Sequence, residues 1–174
     1  PSFLIKLLHQ KQIPAYELEG LSADSKLLDS ADVNNINVYA RLFQTGYLTI
    51  KGYRQDQFGE IYTLSYPNYE VKRSFLTHLL SAYNEIEVVL SESHLRRLLY
   101  ALSKGDLSQF FTILEVFFAN IDYDLQLDYE KYYQTIFYLI FLLLGVQVTA
   151  EAKTNQGRID AVIELATDIY LFEF

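Results

Sequence analysis

Apolar positions recur at helical spacing through most of the first two thirds of the chain. Behind Pro1 and Ser2, residues Phe3, Leu4, Leu7 and Leu8 repeat at steps of three and four, predicting a helix that ends near Lys11, ahead of Pro14. Residues 17–32 read as a loose, solvated acidic segment carrying Glu17, Glu19, Asp24, Asp29 and Asp32, with a short helical turn around residues 25–28. Ile36, Tyr39, Leu42 and Phe43 suit one face of a helix stopping at Gly46. Residues 47–50 then alternate weakly as a strand, with 61–64 as hairpin partner and 51–60 as a long polar loop. Pro67 and Asn68 close the hairpin and start a helix with the stripe Val71, Phe75, Leu79 and Leu80; His78 beside it reads as a core or boundary histidine. A further helix carries Leu95 and Leu98, and its adjacent Arg96 and Arg97 read as a solvated face. Gly105 and Asp106 break and recap the chain before Leu107, Phe110, Phe111, Leu114, Phe117 and Phe118. YEKYYQTIFYLIFLLLG is apolar nearly all round, which predicts a central helix packed on several sides.

After Gly145 the period changes from 3.6 to two. Residues 146–150 alternate as a strand, TNQG makes a turn, and GRIDAVIELATDIYLFEF reads as two strands around ATD. Each of those strands has a carboxylate near one end, Asp160 and Glu173. If the strands pair, the two acids can approach, although the sequence does not fix the register. Such a pair could share a hard divalent cation with oxygen ligands at roughly 2.1 Å for magnesium; it could equally be an edge charge and a solvated turn residue. The last strand stops at Phe174, one residue past an acid in an apolar run, so the chain reads as cut there. The fold class expected is α+β or α/β, a mostly helical first part followed by an incomplete αβββ core. The helices feeding a hairpin over residues 36–66 resemble a winged-helix module. Its wing mixes Lys51 and Arg54 with Asp56 and Glu60, and its helix carries only Arg41 as a cation, so packing or linking is expected above DNA reading.

Composition narrows the chemistry. A length of 174 residues allows one compact domain or two small ones, and a 51% hydrophobic content excludes a disordered chain. Fifteen tyrosines and twelve phenylalanines, with no tryptophan or methionine, predict thick aromatic packing; the missing initiator methionine again fits a fragment. The absence of cysteine excludes disulfides, thiolate catalysis and cysteine-built zinc sites, and three scattered histidines make a histidine-rich zinc site a poor fit. A formal net charge of -8 argues against nucleic-acid binding by bulk attraction, but leaves room for a nuclease in which cations bridge acids and phosphates. The longest apolar run, residues 136–144, is far short of the ~20 needed to span a bilayer, so a soluble cytoplasmic protein without membrane contact is expected.

An apolar helix opened by Glu130, a second strand bearing Asp160, and Glu173-Phe174 as the first two letters of E-x-K resemble the plan of the PD-(D/E)XK nuclease superfamily. The lysine of that motif would be the next residue. At the level of whole segments, PSFLIKLL, LFQTGYLTIKGY, YTLSYPNYEVKRSFL, YYQTIFYLIFLLLG and GRIDAVIE…YLFEF resemble the C-terminal region of a bacterial family numerous in Bacteroidetes. Its members join an AAA-ATPase-like domain to a PD-(D/E)XK nuclease-like domain, and the resemblance covers essentially the whole chain. It implies that residues 1–66 end the ATPase-like region, including its winged-helix-like piece, and that 67–174 begin a nuclease-like domain severed after Phe174. ATP would belong to the absent upstream domain, since no G-x-x-x-x-G-K-[ST] occurs here.

For the site, the resemblance implies Mg2+ or Mn2+ held by Asp160, Glu173 and the carbonyl of Phe174. Glu130 would contribute directly or through water, although a glutamate in a first helical turn is favourable without any metal. The cation would polarise the scissile phosphate and acidify water, with the lysine orienting that nucleophile. Gln134 stands where relatives commonly have histidine; it can hydrogen-bond a phosphate or carboxylate but cannot act as a base. Arg158 shares a strand face with Asp160 and could contact phosphate or hold Glu164. The implied partners of the full-length protein are DNA or RNA, and the last strand could pair with a second copy to give a dimer. Without the lysine these 174 residues are expected to be inactive. The alternative is a catalytically silent, nuclease-derived module that binds nucleic acid or protein or acts as a scaffold.

Overall fold

The computed structural model describes residues 2–11, 13, 18–28, 37–57, 59–119, 129–153 and 158–173; the side chains of residues 2, 9, 129–132, 147, 150–153, 158 and 159 lie outside that description. The chain forms two compact units, Pro1–His78 and Leu79–Phe174. Both mix helix with antiparallel sheet, and the fold class is α+β.

The first unit runs α1 (Ser2–Gln10), β1 (Leu21–Asp24), α2 (Ser25–Leu28), α3 (Val38–Gln44), β2 (Thr49–Asp56), β3 (Gly59–Ser65) and the first turns of α4 (Tyr69–Asn84). Its sheet has the order β1-β3-β2, antiparallel throughout. The apolar stripe of α1 buries Leu4, Ile5 and Leu8, and α3 buries Val38, Ala40 and Leu42. Asn37 starts α3 because its side-chain oxygen accepts hydrogen bonds from the Tyr39 and Ala40 amides at 3.0 and 3.2 Å. Gly46 ends it at a φ of +82°, a left-handed conformation that glycine adopts without steric cost. Phe75 lies fully inside, with the rings of Tyr47 and Tyr66 at 5.0 and 6.1 Å.

Three expectations for this unit are corrected. The acidic segment contains buried Leu18 and the strand β1, which registers Leu21 with Leu64 and Asp24 with Ile61. Four residues of mixed polarity are too short for a period-two signal. The supposed polar loop 51–60 is mostly strand: β2 continues to Asp56, pairs Tyr53 with Tyr62 and Asp56 with Gly59, and is irregular between Ile50 and Gly52. Apart from half-buried Thr49 and Gly52, β2 is exposed, so no alternation marks it as a strand. His78 is exposed on α4, beside the buried stripe.

The second unit holds the end of α4, then α5 (Val88–Ser103), α6 (Leu107–Phe118), α7 (Tyr129–Leu144), β4 (Gln147–Lys153), β5 (Arg158–Glu164) and β6 (Ile169–Phe172). Asp106 caps α6 by accepting from the Gln109 amide at 3.0 Å. Residues 136–141 of α7 are all buried, as a helix apolar on every side requires. The sheet order is β4-β5-β6, antiparallel. One sheet face presents Ala161, Ile163 and Phe172 to the helices, where Phe172 meets Phe110, Phe137 and Phe141 at centroid distances of 5.8, 4.8 and 6.2 Å. Tyr170, on that same face, donates from its hydroxyl to the Leu102 carbonyl at 2.9 Å. β4 extends past the predicted end at Ala150 to Lys153, and β6 is shorter than predicted, leaving Glu173 one residue beyond it. Among the described residues no helix is long and apolar enough to cross a membrane.

Candidate functional site

Strand β5 alternates R-I-D-A-V-I-E, and its two fully buried residues, Ala161 and Ile163, face the helices. The period of two therefore places Asp160, Val162 and Glu164 on the other face. The pairing of β5 with β6 registers Glu164 with Ile169, Val162 with Leu171 and Ala161 with Phe172. The pairing runs as far as Ala161 opposite Phe172, and Asp160 and Glu173 are the next residues on each side, with Glu173 one residue beyond β6. The two predicted acids thus lie at the same end of the β5–β6 pair. Asp160 is half-buried and Glu173 is exposed.

The opposite neighbour adds a residue that sequence reasoning missed. β4 registers Ala150 with Ala161 and Ala152 with Ile159, so the backbone of Glu151 lies across from Asp160. Glu151 and Asp160 are thereby opposite one another on adjacent strands. The signal was available in the alternation TAEAK, which gives Glu151 the opposite parity to Ala150 and Ala152, but it acquires meaning only with the register. Arg158 shares the face of Asp160, with its backbone paired to Lys153.

Helix α7 fixes this strand from the other side. Tyr138, itself buried, donates from its hydroxyl to the backbone carbonyl of Asp160 at 2.6 Å. Gln134 lies one turn before Tyr138 and Glu130 two turns before it, so the three positions share one side of the helix. Gln134 is half-buried. Glu130 is placed by its backbone, near the start of α7, and Phe174 falls outside the described residues. The structure therefore puts Asp160 and Glu173 next to the last β5–β6 pair and links Asp160 to the helix that carries Gln134 and Glu130. Tyr138 was not predicted, because in a helix apolar on every side nothing in the spacing singles out one aromatic residue.

Carboxylate oxygens are hard donors and match Mg2+ or Mn2+ in chemistry. Asp160 and Glu173 can supply two oxygen donors from adjacent strands. Among the described residues, no three side chains of the histidine, aspartate or glutamate type gather around a common point.

Along all of its length the chain is 36% identical, over 181 aligned positions, to a protein of Azotobacter chroococcum mcd 1 described as an uncharacterized protein in the vnfD 5' region. The chain spans 34% of that relative's length. No solved structure matches the chain. Residues 128–174, which hold α7 and the whole acid-bearing sheet, match the PD-(D/E)XK nuclease superfamily.

Proposed function

We propose that residues 128–174 are the metal-binding part of a divalent-cation-dependent nuclease that hydrolyses phosphodiester bonds in the intact protein. One observation supports this reading: Asp160 and Glu173 flank the last β5–β6 pair, Ala161 with Phe172, inside the segment that matches the nuclease superfamily. Asp160 and Glu173 would hold Mg2+ or Mn2+, with the Phe174 carbonyl and Glu130 completing the set. A divalent cation held there would supply polarisation of the phosphate and acidification of a bound water. Tyr138 holds the Asp160 backbone still, which orients the carboxylate before any ligand arrives. Gln134 donates or accepts a hydrogen bond at the phosphate, and Arg158 balances its charge.

The first unit fits the reading as a winged-helix-like piece. Its elements follow the order helix, strand, two helices and hairpin, and β3 lies between β1 and β2. Residues 1–66 would then close an ATPase-like region, and residues 67–174 would open the nuclease-like domain. ATP would be bound outside this chain. A second reading, a silent module kept for binding nucleic acid or protein, is favoured by Gln134, whose amide cannot act as a base.

The test uses the full-length protein. Calorimetric titration with Mn2+ and Mg2+, run beside Asp160→Ala and Glu173→Ala, is combined with cleavage assays on labelled DNA and RNA. Metal binding and cleavage lost together in both variants support the nuclease. Metal binding without cleavage of either polymer favours the silent module. A wild type that binds neither metal sinks the catalytic reading.

A further inference from the structure

A second feature lies at the other end of the same sheet. Arg96, Leu99, Tyr100 and Ser103 of α5 and residues 165–167 of the β5–β6 turn line an open cleft of about 530 Å3. Arg96 is the cation among its lining residues, and Lys104 follows at the C-cap of α5. Arg96, Arg97 and Lys104 are all exposed, and none makes an ion pair among the described residues. Arg96, Tyr100 and Lys104 repeat at steps of four and so stand along one side of α5. The Lys104 ammonium sits 5.7 Å from the Tyr100 ring centroid, and Tyr100 is 62% exposed. Across the cleft, the Asp168 carboxylate already accepts from the Thr167 hydroxyl at 2.6 Å, and the Leu165 amide is bonded to the Asp168 carbonyl.

We infer that this cleft is a single-stranded nucleic-acid subsite, in which the Tyr100 ring stacks on a base while Arg96 and Lys104 contact flanking phosphates. An exposed aromatic ring between unpaired cations is the combination that unstacked nucleotides bind, because every base offers a π-face and every linkage a charge. The volume is in the range of clefts that hold one small-molecule-sized group, roughly 300–1,000 Å3, which admits a single nucleotide. Hydrogen bonding of Tyr170 to Leu102 fixes α5 to the sheet at this end, so the cleft walls are held together. Leu165 lies five residues from Asp160 along an extended chain, ~17 Å away at ~3.3 Å per residue. The subsite is therefore separate from the two acids and would grip the strand several nucleotides from the scissile phosphate. It rests on the nuclease reading only for the reason the protein meets nucleic acid.

The test is fluorescence anisotropy on the full-length protein in EDTA, with fluorescein-labelled oligothymidylate of about 15 nucleotides and a duplex of equal length. Wild type should bind the single strand more tightly than the duplex. Arg96→Glu and Tyr100→Ala should each weaken single-strand binding about fivefold or more, while Tyr100→Phe retains it. Circular dichroism of each variant checks that the fold persists. Unchanged affinity in both Arg96→Glu and Tyr100→Ala, or a wild type that binds no single strand, overturns the subsite. Metal-dependent cleavage surviving that result leaves the nuclease reading standing; oligonucleotide binding through Arg96 and Tyr100 without metal binding or cleavage has the reverse meaning.

Discussion

The hydroxyl of Tyr138 reaches across from α7 and donates to the carbonyl of Asp160 at 2.6 Å. The helix thus grips the strand at the residue whose side chain is proposed to bind metal. Tyr138→Phe keeps the ring and removes the donor at a buried position, which should cost about 1–3 kcal/mol in urea unfolding. Because the carbonyl also positions the residue, Mn2+ affinity should fall further than it does in a variant equally destabilised elsewhere. Equal affinity in the two would reduce Tyr138 to a structural role.

Phe172 anchors β6 through Phe110, Phe137 and Phe141. It is half-buried, so Phe172→Ala should cost about 2–3 kcal/mol, below the range for fully buried phenylalanines. Hydrogen exchange should rise in the β6 amides before it rises in β4. Uniform protection across the sheet in this variant would show that β6 is held by something other than its aromatic contact.

Tyr66 has a buried hydroxyl with no hydrogen-bond partner among the described residues. Burial, and secondarily the nearby Glu19 carboxylate, push its phenol well above the ordinary value near 10. The folded state therefore keeps the proton where the unfolded chain loses it. Stability from this group is complete below pH 10 and is lost as pH rises towards the higher folded value, by up to about 1.4 kcal/mol per unit. Tyr66→Phe should remove that share of the alkaline slope and be at least as stable at pH 7, since it deletes an unsatisfied polar atom. Identical slopes in the two proteins above pH 10 would contradict the assignment.

Asn37 holds the first turn of α3 through two amides. Asn37→Ala should lower stability by about 1 kcal/mol and Asn37→Asp should change it little, as both accept from those amides. Chemical denaturation of the three proteins checks the ranking.

The long helices were legible because burial follows their period, as with Phe75, Leu79 and Leu80 on α4 and the continuous run in α7. β1 and most of β2 were not, because their pairing is made by the backbone while much of the side-chain pattern faces water. The two acids proposed for the site, Asp160 and Glu173, could be singled out by type and order. Their placement could not, since IYLF is apolar at every position. Only the fold shows that Ile169 and Leu171 are exposed, at 67% and 61%, while Phe172 packs inward. Glu151 and Tyr138 became visible for the same reason: each gains its relation to Asp160 from pairing or packing, which no local spacing encodes.

The β5–β6 register imposes a counting rule on the segment that leads to Glu173. Each strand position flips sides, so inserting one residue between Phe172 and Glu173, with the register kept, would change the side of the sheet at which the glutamate follows. Two residues would restore that side but displace it by ~7 Å along the strand. The short piece Ile169–Phe172 is therefore more sensitive to a change in length than to a change in residue identity on its exposed side.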